Sequence, residues 1–227
     1  MKALSIDGAI SRLTVSAKND NKIFTSIYDI GMRQSESLVP AIDYVLQKVD
    51  LKSSDLDYTC ISIGPGSFTG LRLAISAVKA IELAYNVPVY GISTLEMYAH
   101  CFKDFDVPVL ACVDANKDRF YARISRNEKI LLADDDWPLE ELYKKTKKIK
   151  KLIVAGPDRN KLSDLIKAQN KKIELLVPAV NIITTEALFD IAEKNIAAKV
   201  PPLKDFDGPV YLRASEAEIK QNQQNWF

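Results

Sequence analysis

The sequence predicts an α/β protein made of two similar domains, each with a mixed β-sheet flanked by helices. Short runs of β-branched or alternating apolar residues alternate with longer runs of helical period. The order βββαβαβ in the first half recurs in the second half, which adds one more helix. We place the join near residues 103–106, which gives a first domain over residues 1–104 and a second, less regular domain over residues 105–227.

The first domain begins with a predicted meander of three strands. Turn-forming residues at Gly8 and at positions 19–21 separate its apolar runs. A run of helical spacing follows, with Pro40 near its first turn, where proline is tolerated. We predict strands over residues 2–6, 12–17 and 23–28, a helix over 35–49, a strand over 58–63, a helix over 68–85 and a strand over 87–90.

The second domain repeats this pattern with less regular spacing. We predict strands over residues 107–113, 119–124 and 129–132, a helix over 139–145, a strand over 152–155, a helix over 160–168, a strand over 173–176 and a helix over 184–198. Residues 200–207 contain two prolines and predict an extended linker. Residues 221–225 are polar enough to predict disorder.

Composition and charge exclude several classes of protein. With 47% hydrophobic and 27% charged residues, the chain is neither disordered nor a collagen-like or disulfide scaffold. Its net charge of +1 creates no strong field toward nucleic acid or an anionic membrane. Asp7 interrupts the first apolar stretch, and apolar runs stay well below the ~20 residues of a membrane span. We therefore expect a cytoplasmic protein that does not contact membranes.

Histidine and cysteine usage narrows the chemistry. His100 is the only histidine, so neither a three-histidine zinc site nor a paired-histidine metal site can form from this chain alone. We expect His100 to be a helix-end residue with a structural hydrogen bond. Cys60, Cys101 and Cys112 are odd in number and far apart, which favours reduced, buried thiols. We predict no metal site and no catalytic residue.

The segment from Ile61 to Arg72 is a strand that enters a helix through a glycine-rich turn. Such a turn points backbone N–H groups at the ends of the strands, where an anion is favoured. Glycine is also needed in a tight turn for conformational reasons alone, and no Walker lysine follows. The structural interpretation is favoured, and Ser67 is expected to cap the helix. The residues assigned to a weak phosphate contact are Asp7, Gly64, Gly66, Ser67 and Asp114.

The helix predicted over residues 68–85 has an unusually wide apolar face. Small residues occupy one arc, namely Gly70, Ala74, Ala77, Ala80 and Ala84. A neighbouring arc carries Leu71, Ile75, Val78, Ile81 and Tyr85. Together these arcs span roughly 220°, whereas a stripe of about 100° suits a helix that covers one surface. Two surfaces should bury this helix: its own sheet, and either the preceding helix, the second domain or another polypeptide.

The blocks at residues 64–72 and 88–96 closely resemble the bacterial TsaB (YeaZ) family of tRNA threonylcarbamoyladenosine biosynthesis proteins. They are Gly-Pro-Gly-Ser-Phe-Thr-Gly-Leu-Arg at residues 64–72 and Pro-Val-Tyr-Gly-Ile-Ser-Thr-Leu-Glu at residues 88–96. Supporting motifs are Ser35-Glu36 with Leu38 and Pro40, Asp55-Leu56-Asp57, Asp114-Ala115 with Phe120-Tyr121-Ala122, and Pro-Val-Tyr-Leu-Arg at 209–213. The resemblance thus extends along most of the chain, and its glycine-rich block is highly specific.

The resemblance implies a fold of two ribonuclease-H-like domains, as in the actin-like and Hsp70-like ATPase superfamily. It implies a noncatalytic subunit that binds the catalytic paralogue TsaD and works with the ATPase TsaE in threonylcarbamoyl transfer to the adenosine beside the tRNA anticodon. On this basis tRNA is contacted indirectly, through the complex. The sequence leaves open a homodimer of the isolated chain, and it leaves open ATP or ADP with magnesium in the assembled complex. The implied partner interface comprises Leu38, Ile42, Val45, Gly70, Ala74, Ala77, Ala80, Ile81 and Ala84.

The chain departs from the family pattern at the first loop. The family commonly has Thr or Ser after the first-strand Asp, whereas Asp7 is followed by Gly8 and Ala9. Gln34 stands where the family usually has His. Loss of the hydroxyls removes partners for phosphate or for magnesium-bound water, which argues against nucleotide binding by the chain alone. The rival functions are a self-standing ATPase or kinase of the same superfold and a glycopeptidase-like enzyme.

Two further features lie in the second domain. A lysine run over residues 144–151 could contact tRNA phosphates, although a solvated helix end is favoured because the run lacks interleaved aromatic residues. Trp226 and Phe227 end a polar tail and could dock on a partner, although chain ends usually fray.

Overall fold

The computed structural model describes residues 1–29, 31 and 33–213 of the chain. The first of two mixed sheets has the strand order β3-β2-β1-β4-β5. Its strands are β1 (Lys2–Asp7), β2 (Leu13–Asn19), β3 (Lys22–Tyr28), β4 (Tyr58–Ser62) and β5 (Val89–Ile92). The first three strands pair antiparallel, whereas β1, β4 and β5 pair in parallel.

The second sheet repeats this topology. Its strands are β6 (Val109–Asp114), β7 (Arg119–Arg126), β8 (Lys129–Pro138), β9 (Lys151–Ala155) and β10 (Glu174–Leu176). Read from β8, the order is β8-β7-β6-β9-β10, and the antiparallel and parallel pairings match those of the first sheet. Two copies of one mixed-sheet topology confirm the predicted duplication.

The helices form the outer layers and a middle layer. They are α1 (Gln34–Lys48), α2 (Phe68–Tyr85), α3 (Thr94–His100), α4 (Leu139–Thr146), α5 (Arg159–Gln169) and α6 (Thr185–Ala197). On β1, Leu4 and Ile6 pack in the core that includes α1 and α2, while Ala3 packs in the core that includes α3 and α6. Successive strand residues alternate between the two faces, so both faces of this strand are buried.

Helices α3 and α6 lie between the sheets and link the two halves of the chain. Although α3 belongs to the first half, it packs on β6 and β7 of the second sheet. Conversely, α6 packs on β1, β2, β4 and β5 of the first sheet. The boundary near residues 103–106 therefore separates the two sheets along the chain, but each half contributes a helix that packs on the other.

Two elements differ clearly from the prediction. Helix α3 is absent from the predicted order, because nearly all of its residues are buried and it shows no amphipathic period. Strand β8 ends at Pro138 rather than near 132, because its second half is polar and pairs with β7 through charged side chains. Arg119 and Arg123 bind Asp136 and Asp134 at 2.9 Å across these strands. The other predicted helices and strands are confirmed to within two residues at each end.

The described segment after α6, up to residue 213, contacts both sheets without forming a helix or strand. Leu203 N–H donates to the Val89 carbonyl and Val210 N–H donates to the Ile63 carbonyl, each at 2.8 Å. Arg213 then binds Asp136 of β8 at 2.6 Å. The predicted polar tail, with Trp226 and Phe227, lies outside the described residues. Within the described ranges, no helix is both long and apolar enough to cross a membrane.

Candidate functional site

The glycine-rich turn before α2 packs directly on the loop that follows β1. Ser67 N–H donates a 2.6 Å hydrogen bond to the Ala9 carbonyl. A Cβ atom at Gly66 would lie 2.3 Å from that carbonyl oxygen, and one at Gly70 would lie 2.1 Å from the Gly8 carbonyl oxygen. Both positions therefore need glycine for close backbone approach. Ser67 caps α2 as predicted, because its Oγ accepts the Gly70 N–H at 3.2 Å.

The Asp7 carboxylate, at the end of β1, is buried and bonded to three donors of the protein itself. Its Oδ1 accepts from the Ser62 hydroxyl at 2.9 Å and from the Ala9 N–H at 3.1 Å. Its Oδ2 accepts from the Thr184 hydroxyl at 2.6 Å. A buried charge of this kind is tolerated because such donors replace water. These contacts favour a structural role for Asp7, in which its carboxylate accepts hydrogen bonds from the turn after β1 and from neighbouring hydroxyls.

Asp114 occupies the equivalent position at the end of β6. Its Oδ1 accepts the Asn116 N–H at 3.0 Å, two residues on, as Asp7 accepts the Ala9 N–H. Lys161 of α5 donates to the other carboxylate oxygen at 2.5 Å. The two halves therefore share their strand order and also this turn, in which an aspartate carboxylate accepts the backbone N–H two residues on.

Each residue assigned to a weak phosphate contact has an internal role. Gly64 adopts a φ of 118° and lies against the Val210 carbonyl oxygen, which a Cβ would approach to 2.6 Å. Gly66 and Ser67 pack on the first loop, and the carboxylates of Asp7 and Asp114 accept internal donors. The structural interpretation of this turn is therefore favoured, and phosphate binding there stays a prediction.

Helix α2 is covered on one face and open on the other. Its buried residues are Gly70, Leu71, Ala74, Ile75, Val78 and Ile81. Further along the small-residue arc, Ala77 is half-buried and Ala80 and Ala84 are exposed. The first sheet and α1 supply the covering groups, which form one apolar core with the buried residues of α2. The chain therefore covers the first part of the small-residue arc and leaves the last part open.

A largely apolar groove of about 530 Å³ lies between α1 and α2 beside this open arc. It is lined by Val39, Ile42, Asp43, Leu46, Gln47, Leu51, Lys52, Ser53, Ala77, Ala80 and Ile81. Val39 is 67% exposed, and Leu83, one turn from Ala80, is 88% exposed. We call Val39, Ala77, Ala80, Leu83 and Ala84 the α1–α2 surface.

The nine residues implied for the partner interface divide into two groups. Six of them are buried, and four of these lie away from the groove and support the helices from beneath, which corrects their assignment as contact residues: Leu38, Val45, Gly70 and Ala74. The other five border the groove or are exposed: Ile42, Ala77, Ala80, Ile81 and Ala84. Sequence reasoning missed Val39 and Leu83. Leu83 was detectable, because it is an apolar residue on the otherwise polar arc of Arg72, Ser76 and Lys79.

The thiols and the histidine have structural environments. Burial raises the pKa of the Cys101 thiol to about 12 and that of Cys60 and Cys112 well above the ordinary range, so all three stay protonated. His100 ends α3, as predicted, with ring nitrogens 3.4 Å from the Asp190 carboxylate and 3.3 Å from that of Glu128. No three metal-ligating side chains converge within the part of the chain that the structure describes.

The lysine run is partly neutralised by its neighbours. Lys144 pairs with Glu141 at 2.6 Å and Lys151 pairs with Glu174 at 2.7 Å. Lys145 lies 5.7 Å from the centre of the Trp137 ring. Lys147, Lys148 and Lys150 are exposed and form no ion pair among the described residues, so they are the most available of the run for a phosphate contact.

Comparisons of the fold identify relatives of two kinds. YeaZ from Pseudomonas aeruginosa matches with a TM-score of 0.74 at 19% identity, covering 93% of this chain and 99% of that one. An inorganic polyphosphate/ATP-glucomannokinase from Arthrobacter sp. strain KM matches with a TM-score of 0.50 at 11% identity, covering 85% and 99%. At these identities the likeness concerns the fold alone, which is the two-domain fold that YeaZ shares with such kinases.

Sequence comparisons identify the family. Residues 31–202, more than half of the chain, match the family described as TsaD, tRNA N6-adenosine threonylcarbamoyltransferase. The tRNA threonylcarbamoyladenosine biosynthesis protein TsaB of Bacillus subtilis is 25% identical over 236 residues, covering 97% of each chain. The chain therefore belongs to the TsaD family and, within it, to the TsaB (YeaZ) proteins of tRNA threonylcarbamoyladenosine biosynthesis.

Proposed function

We propose that this protein is a noncatalytic subunit of the threonylcarbamoyladenosine machinery that binds its catalytic paralogue TsaD and supports threonylcarbamoyl transfer to tRNA. The open α1–α2 surface is the observation that carries the proposal. Leu83 and Val39 expose apolar side chains there. Large exposed apolar side chains beside an apolar groove are typical of a protein interaction site.

Small side chains make this surface suitable for helix packing. Ala77, Ala80 and Ala84 let another backbone approach α2 closely, and the adjoining groove can receive larger side chains. Helices pack by placing the ridges of one into the grooves of the other. A helix pair from TsaD is therefore the expected occupant, and a second copy of this chain occupies the same surface when TsaD is absent.

The absence of catalysis is the second part of the proposal. The Asp7 carboxylate is bonded to three internal donors, and the loop beside it carries Gly8 and Ala9 in place of hydroxyl residues. The thiols are protonated, and His100 is bound by carboxylates on α6 and on the β7–β8 turn. In this proposal ATP or ADP with magnesium binds only in the assembled complex, TsaE joins that complex, and tRNA is held mainly by its other subunits.

Co-purification with the host's TsaD tests the proposal. We expect Ala80→Trp to weaken the complex by roughly ten- to a hundredfold, because a bulky side chain on a close-packed surface costs typically ~1 to 3 kcal/mol. Ala168→Trp is the matched control, since Ala168 is exposed on α5, the counterpart of α2 in the second half. Wild-type recovery of TsaD by a folded Ala80→Trp protein would show that this surface is not the interface.

A further inference from the structure

A cavity of about 180 Å³ lies in the cleft between the two halves of the chain. The loop after β1 forms one wall, and the segments after β9 and β10 form the other. Its polar lining consists of Ser11, Arg12, Asp29, Tyr98, Arg159 and Asn181. This cavity is not lined by the residues that the sequence analysis assigned to a phosphate contact, namely Asp7, Gly64, Gly66, Ser67 and Asp114.

Tyr98 of α3 contributes a hydroxyl without a partner. The residue is only 4% exposed and lines the cavity, yet among the described residues its hydroxyl makes no hydrogen bond. Burial raises the pKa of this phenol, so it stays protonated and can donate. A group bound in the cavity can therefore accept a hydrogen bond from this hydroxyl.

Two arginines line the same cavity without a carboxylate partner among the described residues. Arg12 donates from Nη2 to the Ile182 carbonyl at 2.8 Å, but its buried Nε has no partner. Arg159 donates from Nε to the Pro178 carbonyl at 2.9 Å and from Nη1 to the Gly156 carbonyl at 3.1 Å and to Asn181 Oδ1 at 3.2 Å. Carbonyl and amide oxygens orient these guanidinium groups but do not neutralise them.

Other partly buried arginines of this chain do have counterions. Arg123 binds Asp134 at 2.9 Å, and Arg119 and Arg213 bind Asp136 at 2.9 and 2.6 Å. The contrast shows that this fold usually pairs its partly buried guanidinium groups with carboxylates. The two cleft arginines are therefore available to an external anion.

Nearby carboxylates do not replace that anion. Asp7 is close enough to influence Tyr98 electrostatically, but its oxygens already accept three hydrogen bonds. Asp29 is exposed at the rim and forms no ion pair with either arginine. The unused hydrogen-bonding capacity of the cavity consists chiefly of donors, from Arg12 and Tyr98.

We propose that this cleft cavity binds a small oxyanion of phosphate size, held by Arg12, Arg159 and the Tyr98 hydroxyl. Arginine suits this role because its planar fork binds oxyanions in a bidentate manner. The volume sets the size of the ligand, because pockets for drug-sized molecules span about 300 to 1,000 Å³. A cavity of about 180 Å³ therefore suits a single tetrahedral ion better than a nucleoside triphosphate.

Calorimetric titration of the purified chain with inorganic phosphate, at constant ionic strength, tests the proposal. We expect saturable binding that weakens about tenfold or more in Arg159→Gln and in Arg12→Gln, because each loses a charge-assisted hydrogen bond. Tyr98→Phe keeps the ring and should weaken binding a few-fold, as loss of one neutral hydrogen bond does. Arg126→Gln is the control, because Arg126 lies on an exposed part of β7 and pairs with Asp106.

Melting curves identify any variant that fails to fold, and Tyr98→Phe, which removes one oxygen atom only, then carries the test. Absence of saturable phosphate binding by the wild-type chain would overturn the proposal. Equal phosphate affinity in the folded cleft variants and in Arg126→Gln would also overturn it.

A parallel titration with ATP and magnesium distinguishes a site for free phosphate from a site for the phosphate groups of a nucleotide. ATP binding much tighter than phosphate, and lost in Arg159→Gln, would show that the site takes a nucleotide.

Discussion

Asp7 and Thr184 are joined by a 2.6 Å hydrogen bond although 177 residues separate them in the chain. Asp7 ends β1 of the first sheet, and Thr184 immediately precedes α6, which comes from the second half. Both side chains are buried, at 2% and 1% exposed. The bond therefore fixes the start of α6 against the first sheet and stabilises the exchange of helices between the halves.

Thr184→Val should lower the free energy of unfolding by about 1 to 3 kcal/mol. The substitution keeps the shape of the side chain but leaves the buried Asp7 carboxylate with one donor fewer. Urea denaturation of wild-type and variant proteins measures the change. Thr69→Val is the control, because Thr69 is exposed on α2 and should change stability by no more than about 0.5 kcal/mol. Equal stability of the two variants would contradict the role of the bond.

Gly66→Ala should destabilise the protein by at least about 1 kcal/mol, because the added Cβ would lie 2.3 Å from the Ala9 carbonyl oxygen. Gly208→Ala is the matched control, since no atom lies within 4 Å of its added Cβ. Thermal melting of both variants makes the comparison. A Gly66→Ala protein that melts like Gly208→Ala would mean that the first loop can move away from the turn.

Two alanines on the same arc of α2 should behave in opposite ways. Ala74→Trp should unfold or strongly destabilise the isolated chain, because Ala74 is 1% exposed and packs against the first core. Ala80→Trp should melt normally, because Ala80 is exposed at the edge of the groove. Circular dichroism melts of the two proteins test this. Similar melting of both variants would show that the arc is not divided between core and surface.

Stability should decline as the pH falls through the titration of His100. Burial lowers the pKa of its imidazole, despite the carboxylates beside it. The folded state therefore binds a proton less readily than the unfolded chain, whose histidine titrates near pH ~6.5. The stability contributed by neutral His100 is present above that pH and is lost as the pH drops through the lower folded pKa.

Denaturation between pH 8 and about 5 isolates this contribution, because free carboxyl groups titrate mainly below that range. His100→Gln should show a smaller loss of stability over this window than the wild type. An unchanged or steeper loss in His100→Gln would assign the pH dependence to other groups.

The isolated protein should hydrolyse neither ATP nor peptides. Gly8 and Ala9 follow Asp7 in place of hydroxyl residues, and the single histidine cannot form a paired metal site. Phosphate release from ATP with magnesium, and cleavage of a peptide library, measure the two activities. Turnover above background that disappears in Asp7→Ala would show that the chain is an enzyme in its own right.

Local pattern in the sequence determined most of the secondary structure. Helix α2 begins and ends where predicted, because Ser67 caps its start and Asn86, with a φ of 56°, ends it in the left-handed conformation. The repeat of the first domain in the second was also readable from the order of apolar runs. These features depend on residues near one another in the chain, so the sequence alone contains the information.

Tertiary packing decided the features that local pattern does not encode. The apolar run of α3 forms a helix that is buried between two sheets. Because nearly all of its residues are buried, its sequence has no amphipathic period from which a helix at this place could be predicted. The glycines at 66 and 70 proved to contact the first loop, a relationship across some sixty residues. The two cleft arginines meet only because α5 and the β1–β2 loop face each other.

The division of α2 into a core face and a surface face also depended on tertiary packing. The sequence determined that the apolar face was too wide for one sheet to cover, and it identified the small-residue arc. It did not determine that α1 and the first sheet would bury Ala74 and leave Ala80 open. Both are alanines on one arc, so only the path of the neighbouring helix separates them, and that path is fixed by contacts distant in sequence.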